Sequence, residues 1–308
     1  DHNGTGWFPG DWDKTCEILA QQGITAVFPN MLWGGLAHYP SKVLPRSYTV
    51  QRYGDQIAQC VEAAHDAGLQ VHIWAICWNL SGAPAEFVER MKQQKRLQVT
   101  AVGKTISWLC PSHRQNIALE RAALREIAAK YAIDGIHLDY IRFAGSDVCY
   151  CDSCRAAFES WRGERAEGWP RSAQNGGKLA AEFRRWRAAH ITDVVRAFRE
   201  QLRAINPRIK LSAAVWGNYP ACKDSMGQDW ATWLKEETVD FVCPMNYTPD
   251  LSRFSTLTHS QLALPRAKGR VFPGLGVTAD ESQLRADQAI EQVAALRKLG
   301  AGGFLLFD

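Results

Sequence analysis

The sequence predicts an α/β protein built on a parallel β-sheet, and three observations lead to that class. Short runs rich in β-branched and aromatic residues alternate with longer segments whose apolar residues recur every three or four positions. The strand-like runs are hydrophobic almost throughout, as expected for strands buried on both faces. With 308 residues, the chain is long enough for a single (β/α)8 barrel. We therefore predict one TIM-barrel domain over residues 1–308.

Seven strands can be read along the chain. They cover residues 24–30, 69–78, 134–141, 209–217, 239–247, 270–277 and 302–308. A barrel of this class has eight strands. We expect Asp1, His2 and Asn3 to be the tail of a first strand that is truncated or very short. We also expect the last helix of the barrel to be missing or to lie outside the chain.

Two segments interrupt the alternation of strands and helices. Residues 81–110 follow the strand at 69–78, and residues 143–178 follow the strand at 134–141. Both are inserted where a strand ends. In a parallel barrel the loops at the carboxyl ends of the strands carry the active site. We therefore expect these two insertions to shape the functional face.

Composition argues against several classes of function. The formal net charge is +4 with 22% charged residues, which is too small a surplus for a nucleic-acid surface. No apolar run approaches the roughly 20 residues that span a bilayer. No leader sequence is visible, although a removed one would leave no trace. The oligomeric state stays open.

The most informative stretch is "DGIHLDYIRF", residues 134–143. Alternate side chains of a strand point to opposite faces, so His137 and Asp139 share one face. If that face is the barrel interior, Asp139 lies at the mouth and His137 one layer deeper, and both are catalytic candidates. The alternative is that Asp139 pairs with Arg142 or caps a loop. Asp134 is interpreted as a turn or cap residue.

Other strand ends contribute polar and aromatic residues to the same face. Asp1 and Asp308 are the candidate second catalytic carboxylates. Stacking rings and hydrogen-bonding groups suit carbohydrate recognition. The candidate substrate-binding residues are His2, Asn30, Trp33, Tyr39, His72, Trp74, Trp78, Arg142, Trp216, Asn246 and Tyr247. For any single tryptophan, packing at the barrel rim is the simpler interpretation.

The nine cysteines fall into two groups. Five occur singly and are interpreted as small buried apolar residues: Cys16, Cys60, Cys77, Cys222 and Cys243. The stretch "CYCDSC" places Cys149, Cys151 and Cys154 close enough to hold one metal ion. A closed zinc site needs a fourth ligand, for which Cys110 is the best candidate and His113 the fallback. Unpaired thiols or a disulfide are the alternative. We expect a structural zinc ion and no organic cofactor, because no nucleotide-binding glycine loop is present.

Six stretches, in the same order and spacing, give the chain its resemblance to a known family. They are "FPNMLWGGLAHYPSKVLPRS", "LQVHIWAICW", "WLCPSHRQNI", "YAIDGIHLDYIRF", "VDFVCPMNY" and "GAGGFLLFD". The chain resembles the glycosyl-hydrolase-like family 10 domains, also described as DUF187-type. The resemblance implies a (β/α)8 barrel, usually secreted or envelope-associated in bacteria, that acts on glycans. It also implies that Asp139 is the essential carboxylate.

The four cysteines resemble a different family. Family-42 beta-galactosidases carry a similar loop and one upstream cysteine that bind structural zinc, which implies that Cys110, Cys149, Cys151 and Cys154 do the same. Their two catalytic glutamates have no equivalents in this chain, since "GLGVTAD" is followed by no glutamate before Glu281.

We therefore expect a glycosidase that cleaves a bacterial or environmental polysaccharide by carboxylate acid/base catalysis. Its location is expected to be secreted or at the cell envelope, with the cytoplasm left open. A non-catalytic carbohydrate-binding barrel is one alternative. Another is an enzyme for acidic sugars such as sialic acid that uses His137 and Arg142.

Overall fold

A computed structural model describes residues 11–308. The first half of the chain contains α1 (Asp11–Gln21), β1 (Ala26–Val27), β2 (Asn30–Trp33), β3 (Leu36–Ala37), α2 (Tyr48–Tyr53), α3 (Gln56–Asp66), β4 (Gln70–Ile76), α4 (Ala85–Gln93), β5 (Leu97–Val99), β6 (Thr105–Leu109), α5 (Arg114–Lys130) and β7 (Gly135–Asp139). The second half contains α6 (Asp152–Arg162), α7 (Ala180–Ile205), β8 (Lys210–Trp216), α8 (Ala221–Met226), α9 (Trp230–Lys235), β9 (Phe241–Met245), α10 (Leu251–Leu262), β10 (Gly274–Gly276), α11 (Ala286–Leu299) and β11 (Leu305–Phe307).

The main sheet confirms the seven strands predicted from the sequence. Its order is β3, β2, β4, β7, β8, β9, β10 and β11, and β1 also pairs with β4. Every ladder is parallel except the hairpin of β2 with β3. The strand expected at residues 24–30 is split at Phe28 and Pro29 into β1 and β2, although both parts pair with β4. Within β2 the register on β4 shifts between Asn30 and Leu32.

The sheet curls so far that distant strands meet across it. The ring of Trp74 on β4 lies 5.7 Å from that of Phe307 on β11. Phe28, between β1 and β2, contacts His137 on β7 and Phe241 on β9. This is a barrel-like α/β architecture with helices outside the sheet. The expected first strand at Asp1, His2 and Asn3 lies outside the described residues.

Side chains alternate between the two faces of the sheet as the strand period requires. On β7, Ile136 and Leu138 are fully buried in the main hydrophobic core. His137 points the other way and its Nδ1 lies 2.9 Å from Ser212 Oγ on β8. In the layer below, the His72 ring covers Gly135, where a Cβ atom would stand 2.1 Å from the ring. Glycine at the start of β7 therefore makes room for an imidazole inside the barrel.

The helices cover the outer face of the sheet with apolar side chains. In α7 the residues Phe183, Trp186, Phe198 and Leu202 are all buried in the main core. Their spacing of three and four positions is the helical period that the sequence shows. The five single cysteines are buried without a disulfide, as predicted.

The two interrupting segments have structures of their own. Residues 81–110 form α4 and the antiparallel pair β5–β6. Residues 143–178 contain a loop, α6 and a short 3-10 helix at Arg171–Ala173. The two segments touch, since the Tyr150 amide donates to the Val99 carbonyl at 2.8 Å. Among residues 11–308, no helix is long and apolar enough to cross a membrane.

Candidate active site and metal site

Asp139 is the last residue of β7, and its carboxyl group is almost fully buried. Its Oδ2 accepts a hydrogen bond from Trp74 Nε1 at 3.2 Å, and its Oδ1 accepts one from the Tyr140 amide at 2.6 Å. Burial raises the pKa of Asp139 to about 6, although these hydrogen bonds and the charge of Arg142 act in the opposite direction. A carboxyl group with such a pKa keeps part of its protons near neutral pH and can therefore donate one.

Arg142 follows shortly after β7 and does not pair with Asp139. Among residues 11–308 its guanidinium lies within ion-pair distance of no carboxylate, and its hydrogen bonds run from Nη1 to the carbonyls of Phe143 and Ala144. The guanidinium carbon lies 5.0 Å from the ring centroids of both Trp108 and Tyr140. The alternative interpretation of Asp139 as an ion-pair partner of Arg142 is therefore wrong.

Asp139 opens into a cleft of about 1380 Å³ at the carboxyl ends of the strands. Nine of the predicted site residues line it: Trp33, Trp74, His137, Asp139, Arg142, Trp216, Asn246, Tyr247 and Asp308. The lining also includes side chains of α1, the segment 23–29, and residues 303–308 at the other end of the sheet. The curl of the sheet thus gathers residues that are far apart in sequence into one wall.

Four predicted substrate-binding residues do not line this cleft. Tyr39 is buried, and its hydroxyl donates to Glu126 on α5 at 3.0 Å. Trp78 lies beyond the end of β4, where a φ of 63° turns its ring into the core. His72 lies below His137 inside the barrel, and the side-chain polar atoms of Asn30 are enclosed. Asp1 and His2 lie outside the described residues.

Asn246 lines the cleft, but its side-chain amide is already hydrogen-bonded to residues of α10. Its Nδ2 donates to Gln261 Oε1 at 3.0 Å and to Thr258 Oγ1 at 3.3 Å, and its Oδ1 accepts from Gln261 Nε2 at 2.7 Å. These bonds tie the end of β9 to α10. The side chain has little capacity left for a ligand.

His137 is neutral at physiological pH. Burial lowers its pKa to about 3, and the neighbouring His72 acts in the same direction. The groups that shift the pKa of Asp139 besides burial are Tyr140, Arg142 and Trp74. In this structure the side chain of His137 contacts Ser212 and Phe28.

Further carboxylates line the cleft from the loops after β10 and β11. They are Asp280, Glu281 and Asp308. The loop that carries Glu281 is folded back on β10, since Ser282 Oγ donates to the Gly276 carbonyl at 2.5 Å and Leu284 is buried. Burial raises the pKa of Tyr247, and the carboxylates of Asp139 and Glu281 raise it further. Tyr247 thus lies within electrostatic reach of both acids. Glu281 is not at a strand end in the sequence pattern, because it lies in the loop five residues after β10.

The four cysteines selected from the sequence meet at one point. The sulfur atoms of Cys110, Cys149, Cys151 and Cys154 all lie within 4.8 Å of one another, and all four residues are buried. Cys110 Sγ lies 3.4 Å from Cys154 Sγ and 3.5 Å from Cys151 Sγ. All nine cysteines are free thiols, so the disulfide alternative is wrong. The cluster is arranged so that it could bind a metal ion.

The surroundings of this cysteine cluster act on the thiols in two directions: burial raises the pKa of Cys110 and Cys154, whereas nearby dipoles and hydrogen bonds stabilise negative charge on sulfur. Cys151 caps the amino end of α6 and Cys154 lies in its first turn, where the helix dipole stabilises negative charge. Backbone amides donate to sulfur from Val99 to Cys149 at 3.3 Å and from Ser112 to Cys110 at 3.4 Å. Hydrogen bonds from the other three thiols lower the pKa of Cys151.

A buried arginine adds positive charge beside the cluster. The Arg187 guanidinium is 1% exposed and donates to the carbonyls of Gly145, Ser146 and Ser225. Burial lowers its pKa to about 10, which keeps it charged at neutral pH, and Cys149 and Cys154 act to raise it. No carboxylate among residues 11–308 forms an ion pair with it. Since an unpaired buried charge is costly, negative charge on neighbouring groups stabilises it, and these groups include Tyr150, Cys154, Cys149 and Asp147.

The fold and the cleft together define a class: an α/β barrel with a buried acid at the carboxyl ends of its strands. Comparison with known proteins names the family. A family model described as Glycosyl hydrolase-like 10 matches residues 11–271, and the chain belongs to this family. The resemblance seen in the sequence is thereby confirmed.

Individual relatives are distant. Glycosyl hydrolase DigH of Escherichia coli (strain K12) is 22% identical over 265 residues, covering 75% of this chain and 56% of DigH. An S-layer-related protein of Niallia circulans is 23% identical over 128 residues, covering 38% of this chain and 8% of that protein. The chain thus spans about half the length of DigH and a small part of the other relative.

Solved structures show the same fold. The PgaB (BpsB) glycoside hydrolase domain from Bordetella bronchiseptica matches with a TM-score of 0.78 at 15% identity, covering 100% of this chain and 90% of that one. A beta-galactosidase from Bacillus circulans sp. alkalophilus matches with a TM-score of 0.69 at 16% identity, covering 100% of this chain and 49% of that one. Both are glycoside hydrolase structures, and at these identities the likeness supports the barrel fold alone.

Proposed function

We propose that this protein is a glycoside hydrolase in which Asp139 acts as the catalytic acid or base. The observation that carries the proposal is the buried Asp139 carboxyl group at the mouth of the cleft, with a pKa of about 6. A protonated carboxyl group can donate to the glycosidic oxygen while the bond breaks. Membership of the Glycosyl hydrolase-like 10 family supports a glycan as substrate.

The second carboxylate is proposed from the other side of the cleft. Asp308, at the end of β11, is one candidate, and Glu281 is the other because its field reaches the tyrosines beside Asp139. A separation of roughly 5 Å between the working carboxyl groups would give retention, and roughly 6.5 to 9.5 Å would give inversion. Product stereochemistry therefore identifies the geometry that is used.

Aromatic rings of the cleft supply the sugar contacts in this proposal. Trp74, Trp216 and Tyr247 line the cleft, and Trp216 is 40% exposed, so that its ring is available for stacking. The substrate is proposed to be a polysaccharide at or outside the bacterial cell envelope. The matches to bacterial proteins such as DigH support this proposal.

We propose that the cysteine cluster holds structural zinc. With Zn–S bonds of about 2.3 Å, ligands at the corners of a tetrahedron lie about 3.8 Å apart, which agrees with sulfur separations of 3.4 Å and more. Cys110, Cys149, Cys151 and Cys154 would hold the ion. Bound there, it would supply a cross-link between the end of β6, the loop at 143–151 and α6. It has no part in bond cleavage in this proposal.

The decisive experiment is a hydrolysis screen. The protein is incubated with neutral, amino and acidic glycans, and reducing ends and product anomers are measured. We expect hydrolysis of one class and a loss of about 100-fold or more in kcat for Asp139→Asn. Asp134→Asn is the matched control, since Asp134 lies at the other end of the same strand and binds His65 and the Val71 amide. Glycan binding without product at any pH would instead identify a non-catalytic carbohydrate-binding barrel.

A further inference from the structure

The cleft contains a buried cation whose hydrogen-bonding capacity is only half used. Arg142 lines the cleft and is 8% exposed. Its Nη1 is occupied by the carbonyls of Phe143 and Ala144, at 3.2 and 3.3 Å. Among residues 11–308, Nε and Nη2 have no hydrogen-bond partner. These two atoms are also not among the enclosed polar atoms that lack a partner, in contrast to Nε of Arg187 and Arg199. They therefore remain accessible from the cleft.

The geometry of the unused donors is specific. Nε–H and Nη2–H form one edge of the guanidinium plane and point in the same direction. This edge matches the two oxygens of a carboxylate in a bidentate arrangement. The Nη1 bonds and the rings of Trp108, Tyr140 and Trp216, at 5.0, 5.0 and 5.9 Å, hold the guanidinium plane in place. A ligand would find this edge already oriented.

Charge favours an anion over a neutral hydroxyl at this point. Within residues 11–308, the carboxyl group that acts on the pKa of Arg142 is that of Asp139, which does not form an ion pair with it and which burial keeps partly protonated. The other cleft carboxylates among residues 11–308 are Asp280, Glu281 and Asp308, from the loops after β10 and β11. Glu281 is close enough to raise the pKa of Tyr140, yet none of the three forms an ion pair or hydrogen bond with Arg142. An acidic substituent would therefore meet a cation that has no carboxylate partner of its own.

We infer that Arg142 and Trp216 form a subsite for a carboxylated sugar, the carboxylate bound to the Nε and Nη2 edge of Arg142 and the sugar ring against Trp216. This inference rests on the proposed function and adds the substrate class: glycans that carry a carboxyl group next to the cleaved bond. Trp216 lines the same cleft, is 40% exposed, and has its ring centroid 5.9 Å from the guanidinium carbon of Arg142.

The test is a binding experiment that does not depend on hydrolysis. The Asp139→Asn protein is titrated calorimetrically with oligosaccharides of glucuronate or galacturonate and with their carboxyl-reduced counterparts, which differ only in charge. We expect the acid form of at least one pair to bind about 10- to 100-fold more tightly, as one charge-assisted bidentate contact allows. Arg142→Gln, added to the Asp139→Asn protein, should remove this preference. Arg142→Lys keeps the charge but loses the paired N–H donors of the guanidinium, so it should keep part of the preference for the acid form.

Arg253 provides the matched control. It is an exposed arginine on the same cleft, so Arg253→Gln should leave the preference intact. The inference is overturned if no pair shows a preference for the acid form, or if Arg142→Gln and Arg142→Lys both retain the full preference. Failure of the proposed hydrolysis gives a different result: the preference for acid forms is present and the wild-type protein releases no product.

Discussion

Trp74 Nε1 donates a hydrogen bond to Asp139 Oδ2 at 3.2 Å and so links two neighbouring strands at the mouth of the barrel. The ladder of β4 with β7 places Trp74 opposite His137 and Ile76 opposite Asp139. The indole therefore reaches forward along the barrel to the carboxyl group. This bond fixes one oxygen of the acid and favours its ionised form, whereas burial raises the pKa.

Trp74→Phe should raise the pKa of Asp139. The ring is kept and only the N–H donor is lost, and that hydrogen bond favours the ionised form. If Asp139 is the catalytic acid, the alkaline limb of the pH–rate profile should move upward. If it is the base, the acidic limb should move upward. Trp216→Phe is the control, because Trp216 makes no hydrogen bond to Asp139, and an unmoved profile in Trp74→Phe would contradict the role of this bond.

Asp139→Asn should stabilise the protein at neutral pH. The pKa of Asp139 is raised from 3.8 to about 6, so the folded state binds the proton more tightly than the unfolded state. The stability that this difference contributes is complete below pH 3.8 and is lost as the pH rises to about 6. A pKa difference of about 2 corresponds to a loss in the free energy of unfolding on the order of 3 kcal/mol.

Urea unfolding of wild type and Asp139→Asn between pH 4 and 8 measures this effect. The difference between the two proteins should grow between pH 4 and 6 and then stay constant. A difference that does not vary with pH would contradict the burial of an ionisable carboxyl group at this position.

Glu281→Gln and Asp308→Asn should differ in their effect on hydrolysis. If Glu281 is the second carboxylate, Glu281→Gln loses about 100-fold or more in kcat, while Asp308→Asn changes it little. Azide added to the damaged variant should restore product of the opposite anomer where that residue is the nucleophile. The same measurement on Asp280→Asn, from the same loop, is the control. Equal small effects of Glu281→Gln and Asp308→Asn would remove both from the catalytic pair.

Zinc should be present in protein purified without chelator, at one ion per chain. Cys151→Ser should lower both the zinc content and the melting temperature, because the loop at 143–151 and α6 would lose their shared anchor. Cys222→Ser is the matched control, since Cys222 is a buried cysteine outside the cluster. Protein that is fully folded and free of metal by elemental analysis would contradict the zinc proposal.

Arg187→Met should weaken metal binding without removing a ligand. Four thiolates around one divalent cation carry excess negative charge, and Arg187 is the buried cation whose field reaches Cys149 and Cys154. Competition with a chelator should show a lower zinc affinity. Arg199→Met is the control, because the buried Arg199 is already paired with Asp240 at 2.5 and 2.7 Å. Equal affinities in the two variants would exclude a role for the charge of Arg187 at the metal.

The sequence predicted the parts of this protein that depend on local periodicity. Alternation along "DGIHLDYIRF" was enough to put His137 and Asp139 on one face and Ile136 and Leu138 on the other. Spacing within "CYCDSC" was enough to propose a cysteine cluster. The structure places the sulfur of Cys110, from a distant segment, beside the other three.

The directions of several side chains could not be predicted from periodicity. Trp78 and Tyr39 turn away from the cleft, because a backbone turn after β4 and a hydroxyl contact with α5 direct them elsewhere. Glu281 comes to the cleft only because its loop folds back over β10. Such placements depend on contacts between distant segments, which periodicity does not record.

The sequence by itself thus determined the α/β class of the fold, the positions of seven strands along the chain and the candidate acid Asp139. Only the tertiary structure decided that Arg142 stands unpaired beside Asp139 with one guanidinium edge accessible from the cleft. The physical reason is that strand alternation is a local property of the backbone, whereas the pairing or isolation of a charge depends on every element that packs around it.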